Sequence, residues 1–378
     1  MYRAALFTLF ACFVFSCDSL AAQEKEKKKD PLDEEIAGKT VGEWIKILRT
    51  HENPKFRRAA LIALYAADAA GRTGLPALLN AIEKDKDAQV RQEAVMVLGR
   101  LGPKTNGALK ALVEALQTDK ADEVREAAAS AIGKEEFSEP AAAYVAVLAD
   151  ALKDPHAGTR VAVAAALRNM GENARPALGA LIDAAKNPKE HTLVRAAAVH
   201  VVSRYGKDNP QTVPLMLDLL KSGDTPTALR EAAADGLGRS GGDSSEVITA
   251  LGEALGAKNI ELRKAAAVAL GSLGVKAKSA WPTIKERLND AKEDSSVRNH
   301  LIRLTGTLAK SNAEAIKALT EAAENDKSTE NRIAAIQELG ELGSLPEETT
   351  KSLRRIATQD ARAAIREAAA RVLKKLAG

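Results

Sequence analysis

A pattern of apolar and polar positions repeats along most of the chain, and each copy is centred on one arginine. The residue before this arginine is usually apolar, the second and third after it are mostly alanine, and the seventh is a larger aliphatic. These offsets lie on one broad face of an α-helix, so each copy predicts an amphipathic helix with a close-packing alanine face. The arginines follow one another at steps of 33 to 35 residues: Arg57, Arg91, Arg125, Arg160, Arg195, Arg230, Arg263, Arg298, Arg332 and Arg366.

A second apolar segment precedes each of these helices, and several such segments begin near a proline, as at Pro76, Pro176 and Pro282. Proline is tolerated in the first turn of a helix. Each copy is therefore predicted to be a pair of helices, A and then B. Neither helix can bury its apolar face alone, so neighbouring pairs must stack. The sequence predicts an all-α fold, an α-α superhelix or solenoid of about ten two-helix repeats over residues 40–378.

The composition agrees with this architecture and narrows the function. The 378 residues are 46% hydrophobic but only 3% aromatic, with a net charge of +4. So few aromatic residues argue against an all-β fold and against a large aromatic-lined pocket. The near-neutral charge and the sparse aromatic residues also disfavour a nucleic-acid partner.

Residues 1–22 are predicted to be a signal peptide. Arg3 supplies the positive start, an apolar run follows over residues 4–15, and small residues near Ala22 suit a cleavage site. The run is too short to span a bilayer comfortably, so we expect no transmembrane span and an exported protein, periplasmic or extracellular. A segment that stays attached as an N-terminal anchor is the alternative.

Cys17 offers a second alternative for the same segment. The residues Val14-Phe15-Ser16-Cys17 resemble a bacterial lipoprotein box, in which Cys17 would carry a lipid that anchors the protein without spanning the membrane. Cys12 and Cys17 both lie in the segment, so the mature chain has no disulfide and no cysteine-based zinc site. Residues 23–39 carry dense charge of both signs and are predicted to be a disordered tether.

The recurring line Val-Arg-x-Ala-Ala-x-Ala-Leu-Gly resembles the HEAT repeat family, and most closely its short subgroup, the phycobilisome-lyase-like HEAT repeats. The resemblance covers residues 39–378 and implies a superhelix that acts as a scaffold. An aspartate six residues before many of the arginines also matches the family. In the family these side chains form a ladder between neighbouring repeats, and charge-assisted hydrogen bonds suit that role. The implied ladder residues are Arg91, Arg125, Arg160, Arg230, Arg332, Arg366, Asp85, Asp119, Asp154, Asp224, Asp326 and Asp360.

Some members of the HEAT repeat family are enzymes, so the sequence was compared with their metal-binding and catalytic motifs. Deoxyhypusine hydroxylase binds iron through several His-Glu pairs, whereas this chain has one such pair, His51-Glu52. No two histidines have metal-ligand spacing on one helix, and no phosphate loop or Ser-His-Asp arrangement occurs. We therefore expect a non-catalytic scaffold without a metal or cofactor. A HEAT-like lyase or hydroxylase, or a structural cell-envelope lipoprotein, is the alternative.

A partner surface is predicted on one face of the B helices. Positions one, five and nine after the repeat arginine share this face and are the least apolar and most variable. In the family the B helices line the concave surface. The middle repeats place a mixed, mainly basic set there, suited to an acidic segment of a protein or to an anionic polymer. An ordinary solvated face with local ion pairs is the alternative. The candidate partner-binding residues are Arg168, Asn169, His200, Arg204, Asp235 and Arg239.

Overall fold

The computed structural model of the protein describes residues 30–67, 73–240 and 244–377. The predicted signal peptide at residues 1–22, Cys17 and residues 23–29 of the predicted tether lie outside these ranges. The described chain consists of α-helices, short 3-10 segments and one short hairpin, which confirms the all-α fold class. Within the described ranges, no helix is both long enough and apolar enough to cross a bilayer.

The chain divides into two compact units, the first ending at Ala131 and the second beginning at Ile132. Each unit is a stack of helix pairs in which an A helix precedes a B helix. Helices are numbered here in chain order, so that odd numbers are A helices and even numbers are B helices. The first unit contains α1 Val41–Thr50, α2 Pro54–Ala66, α3 Leu75–Lys84, α4 Ala88–Leu101, α5 Ala108–Thr118 and α6 Asp122–Ile132, whose last residue opens the second unit.

The described part of the predicted tether is ordered, which corrects the sequence-based expectation for residues 30–39. A 3-10 turn, Pro31–Asp33, precedes an antiparallel hairpin of β1 Glu35–Ile36 and β2 Lys39–Thr40. The hairpin turn contains Ala37 and Gly38, both with positive φ, which is the geometry that two-residue hairpin loops favour. The Trp44 indole N–H donates to the Ile36 carbonyl at 2.9 Å, and the buried ring gives the hairpin a surface to pack on.

The second unit has the same alternation of helices. Its 3-10 segments are Glu135–Phe137, Pro140–Tyr144, Gly171–Ala177 and Gly274–Ala280. Its α-helices are α7 Val145–Ala151, α8 Ala157–Asn169, α9 Leu178–Lys186, α10 Thr192–Tyr205, α11 Thr212–Lys221, α12 Thr227–Arg239, α13 Ser245–Ala254, α14 Ile260–Leu273, α15 Trp281–Asn289, α16 Ser295–Ala309, α17 Ala313–Asn325, α18 Thr329–Gly340, α19 Glu347–Gln359 and α20 Ala363–Leu376.

Short polar side chains start many of these helices. Asp87, Asn259 and Asp294 each accept a hydrogen bond from a backbone N–H in the first turn of the B helix that follows. Such caps satisfy donors that have no partner inside the helix. They fix where each B helix begins, and therefore where its arginine lies in the turn.

Small residues let successive B helices of the second unit approach closely. A Cβ atom at Gly238 would lie 2.7 Å from the Ala269 Cα of the next B helix, and one at Gly236 would lie 2.7 Å from the Ser203 Cβ of the previous one. The aliphatic residues seven positions after the arginine, such as Leu237 and Leu270, are fully buried between the layers. Successive B helices of this unit contact each other more extensively than successive A helices do.

Candidate functional site

The repeat arginines of the first unit join neighbouring helix pairs at the start of the B helices. The Arg57 Nε and Nη2 atoms donate to the two carboxylate oxygens of Asp85, both at 2.7 Å. The Arg57 Nη1 donates to the carbonyls of His51 and Glu52, in the turn before its own helix. Arg91 and Asp119 repeat this geometry at 2.7 and 2.8 Å. Each guanidinium thus donates both to backbone carbonyls of the turn before its own helix and to the aspartate carboxylate of the next repeat.

These arginine–aspartate pairs are buried, so they contribute to the stability of the fold and are not open to a ligand. The side chains of Arg57 and Asp85 are 5% and 7% exposed. The aspartate also orders its own turn, since Asp85 Oδ1 accepts the backbone N–H of Asp87 at 2.9 Å. Burial acts to raise the pKa of Asp119, but hydrogen bonds from Arg91 and the Ala121 N–H, together with the positive charges of Arg91 and Arg125, outweigh it and leave that pKa below its usual value. A carboxylate held in this way stays ionised and bonded at neutral pH.

The second unit forms the same link with two kinds of carboxylate. Arg298 pairs with Asp326 at 2.9 Å, and Arg332 pairs with Asp360. A glutamate holds the preceding repeat's arginine in two other links, Arg160–Glu190 at 2.9 Å and Arg263–Glu293 at 2.8 Å.

Sequence reasoning missed Glu190 and Glu293. They stand one position after the place where an aspartate is expected, which Lys189 and Lys292 occupy. The longer glutamate side chain reaches the same guanidinium from that next position. A search for any carboxylate at either position would have found both.

Two of the ladder residues named from the sequence, Arg230 and Asp224, are not brought into a ladder pair within the described residues. Arg230 donates from Nε to the Leu220 carbonyl at 3.0 Å, and Arg195 does the same to the Ala185 carbonyl at 3.1 Å. Within the described ranges, neither arginine has an ion pair, and Asp224 is exposed. Arg366 in the last described repeat donates to the Asp360 and Ala361 carbonyls, and Arg125 to the Asp119 and Lys120 carbonyls. Asp154 accepts the His156 N–H at 2.8 Å.

The other candidate surface lies at the C-terminal ends of three B helices. Arg168 and Asn169 end α8, His200 and Arg204 lie on α10, and Asp235 and Arg239 lie on α12. Asp235 Oδ2 accepts from Arg239 Nε at 2.7 Å. Asn169 differs from the rest because its Nδ2 donates to the Gly133 carbonyl at 2.9 Å, so it closes the end of the previous repeat.

The remaining five residues form a group that we call the basic cluster: Arg168, His200, Arg204, Asp235 and Arg239. Burial lowers the pKa of His200, and the positive charges of Arg168, Arg204 and Arg239 lower it further, against a smaller opposite effect of Asp235. The imidazole is therefore neutral at pH 7. Across the parts of the chain that the structure describes, Arg168 and Arg204 make no ion pair, so the cluster has an excess of uncompensated positive charge.

Within the described residues, no group of three or more His, Cys, Asp or Glu side chains is arranged to hold a metal ion. The one His-Glu pair belongs to a turn, in which His51 Nδ1 accepts the Asn53 N–H at 3.1 Å and the imidazole lies 4.4 Å from the Phe56 ring. The exposed arginines can instead bind anions, through several donors that need no large rearrangement.

Comparison with known proteins agrees with this architecture. No curated protein matches the sequence. An engineered protein of solved structure is 18% identical, with a TM-score of 0.60, over 89% of this chain and 99% of its own. Importin beta, crystallised in an ammonium sulfate condition, is 17% identical, with a TM-score of 0.59, over 89% of this chain and 50% of its own. Kap95p, in a structure that concerns its binding to RanGDP, is 17% identical, with a TM-score of 0.56, over 89% and 49%.

The chain thus spans about half the length of importin beta and Kap95p, and at this identity the likeness shows the fold alone. The profile of the family described as HEAT repeats matches the sequence directly, at residues 41–133, 145–228, 222–303 and 282–374. These matches cover nearly all of the described helices, including every inter-repeat link and the whole basic cluster. The chain belongs to the HEAT repeat family.

Proposed function

We propose that this protein is an exported, non-catalytic scaffold that binds an acidic segment of a partner protein at the basic cluster. The observation that carries the proposal is the pair of exposed arginines, Arg168 and Arg204, which act on His200 and make no ion pair among the described residues. Oppositely charged surfaces attract and orient partners, and arginine binds carboxylates in a planar, two-pronged geometry. Kap95p, which has the same type of fold, binds RanGDP, a protein partner.

The cellular location in this proposal rests on the N-terminal sequence. The positive start, the short apolar run and the small residues near Ala22 are typical of a signal peptide. We also place the chain in the short, phycobilisome-lyase-like subgroup of the family, on its Val-Arg-x-Ala-Ala lines. An exported protein meets partners outside the cytoplasm, so we expect the acidic segment to belong to another exported or surface protein.

Reversal of charge in the basic cluster tests the partner site. The double variant Arg168→Glu, Arg204→Glu breaks no ion pair among the described residues, and we expect it to lose the partner recovered by cross-linking in the native cell. The matched control is Arg303→Glu, Arg371→Glu, which makes the same charge change on the same face of later B helices. Loss of the partner in the first variant alone supports the proposal, and equal recovery from both variants contradicts it.

Two further measurements test the rest of the proposal. Metal analysis of the purified protein addresses the enzyme alternative, because stoichiometric iron or zinc would contradict a non-catalytic scaffold. The mass of the mature N-terminus distinguishes cleavage near Ala22 from a lipid on Cys17. A mature chain that begins near residue 23 supports a released protein, and a lipid-modified cysteine supports a membrane-anchored one.

A further inference from the structure

Similar clefts lie beside the repeat arginines, between the A helices of adjacent pairs. Three of them have volumes of about 280, 570 and 290 Å³ and contain Arg57, Arg160 and Arg298 respectively. Each of these three also contains the carboxylate that its arginine binds: Asp85, Glu190 and Asp326. The cleft itself is therefore a regular product of stacking, and its chemistry is set by the carboxylate.

A fourth cleft, of about 430 Å³, contains Arg230 and breaks this rule. In four of the links the carboxylate stands 28 residues after the arginine, as Asp326 does for Arg298. The repeat that begins at Arg230 is one residue shorter, so the place of the ladder aspartate, six residues before the next arginine, is Ala257. Lys258 stands five residues before Arg263, in the place that Glu190 and Glu293 hold in the two glutamate links, and both Ala257 and Lys258 line the cleft. The turn is nonetheless built in the usual way, since the carbonyls of Ala257 and Lys258 accept from Arg263 Nη1 at 2.9 and 3.0 Å. A methyl group and a cation thus occupy the two places from which other repeats supply the ladder carboxylate.

Arg332 shows what the guanidinium of Arg230 lacks. The Arg332 Nε donates to the Ala323 carbonyl of its own A helix, and its Nη2 holds the Asp360 carboxylate. Arg230 is anchored in the same manner, through Nε to the Leu220 carbonyl. Its two terminal nitrogens have no hydrogen-bond partner in the described chain. The side chain is therefore positioned for an anion that the protein does not supply.

The other charged groups of this cleft do not compensate the positive charge of Arg230. Lys221 pairs with Glu246 at 2.6 Å and is already neutralised. Glu253 is the one acidic residue in the lining, and it is exposed and makes no ion pair with Arg230 or Lys258 among the described residues. Arg230 and Lys258 remain as two cations that face one cleft.

We propose that the cleft between Arg230 and Lys258 is an oxyanion-binding site, which a carboxylate or phosphate group occupies in the manner of the missing ladder aspartate. The bound group would accept from the terminal nitrogens of Arg230 and from the Lys258 ammonium. A free anion and a carboxylate side chain of a bound partner share this chemistry. The site is separate from the basic cluster, because Arg230 begins α12 whereas Arg239 ends it, about 13 Å away at 1.5 Å per residue.

The test follows the thermal unfolding of the full chain at constant ionic strength, with chloride as the balancing ion. Inorganic phosphate, succinate and a hexaglutamate peptide are the probes. We expect a saturable rise in the melting temperature of the wild type. Arg230→Gln should weaken the apparent affinity at least about tenfold, because it removes the bidentate donor.

Lys258→Glu is the complementary variant. It places a carboxylate at the position that Glu190 and Glu293 hold in the glutamate links, so we expect a higher melting temperature without any probe and no saturable response to the probes. Lys189→Glu is the matched control: it makes the same charge change beside Glu190, in a cleft whose arginine is already paired. It should keep the wild-type response.

The response pattern decides the proposal. A stronger effect of phosphate or succinate identifies a free anion as the ligand, and a stronger effect of hexaglutamate identifies a partner's side chains. Two results would overturn the site: no saturable response of the wild type to any probe, or the same response from the wild type, Arg230→Gln and Lys258→Glu.

Discussion

The two ends of the B helices use arginine in opposite ways. At the start of α16, Arg298 is 9% exposed and is bound to Asp326, which is 5% exposed. At the end of α10, Arg204 is exposed and has no carboxylate partner among the described residues. The residue type is the same, and the difference lies in what the next repeat places opposite the guanidinium. Arginines that meet a carboxylate across a repeat interface hold the stack, and those that meet none are free to bind something else.

The largest expected effect comes from a change at the start of a B helix. Arg298→Met leaves Asp326 buried without its partner, and breaking a buried pair in this way costs about 3 to 5 kcal/mol of the free energy of unfolding. Urea denaturation, with hydrogen exchange to locate the loss near α16 and α17, measures it. Arg204→Met at the other end should leave stability unchanged. Equal losses in the two variants would remove the distinction between the two ends.

Alanine substitution at two equivalent glycines tests how closely the B helices pack, because we expect it to lower stability at one glycine and to raise it at the other. Gly238 and Gly271 both lie eight residues after a repeat arginine. A Cβ at Gly238 would lie 2.7 Å from the Ala269 Cα, whereas one at Gly271 meets nothing within 4 Å. Gly238→Ala should therefore cost about 1 to 3 kcal/mol through overpacking. Gly271→Ala should stabilise its helix by up to about 1 kcal/mol. Stabilisation by both variants would contradict the close approach.

The pH dependence of the first unit tests the ladder without a change of packing volume. The pKa of Asp119 is lowered in the folded state, where Arg91 and the Ala121 N–H outweigh burial. The stabilisation is therefore complete above the unfolded value near 3.8 and is lost as the pH falls through the lower, folded value. Asp119→Asn should flatten the acid limb of stability measured by denaturation between pH 5 and 2. If the loss of stability at acid pH were the same in Asp119→Asn and the wild type, the ionisation of Asp119 would not contribute to stability.

The smallest effect concerns the electrostatics of the basic cluster. Burial and then Arg168, Arg204 and Arg239 lower the pKa of His200. Arg204→Glu should therefore raise the pKa of His200, as measured by an NMR titration. His300 is the internal control, because burial and the charges of Lys264 and Arg303 lower its pKa instead. Arg303→Glu should raise the pKa of His300 alone, and a common shift of both histidines would argue against two separate clusters.

Features that depend on a single helix, namely its place in the chain and its buried face, could be predicted from the period of the sequence. The arginine spacing located the helix pairs, and the offset rule placed Leu237 and Leu270 in the core, where they are fully buried. Charged groups at offsets five and nine, such as His200 and Arg204, do lie close enough to affect each other's ionisation.

Contacts between repeats were harder to predict, because they depend on side-chain reach. Glu190 and Glu293 bind arginines from a position that the offset rule leaves out. Asn169 has the offset of a partner-binding residue, yet its amide reaches back to the Gly133 carbonyl. Residues 30–39 have a charged composition typical of disorder, but the Trp44 indole gives them a partner that composition does not reveal.

The two interfaces around α12 lack the arginine–carboxylate link, and their B helices approach each other closely at Gly236 and Gly238. A two-pronged hydrogen bond resists both separation and twisting of its two sides, because it is directional. Contact between methyl groups and backbone resists separation but has little directional preference. We therefore expect the second unit to resist twisting least on either side of α12. A bound oxyanion beside Arg230 would then stiffen the unit there, and its release would restore the freedom to twist.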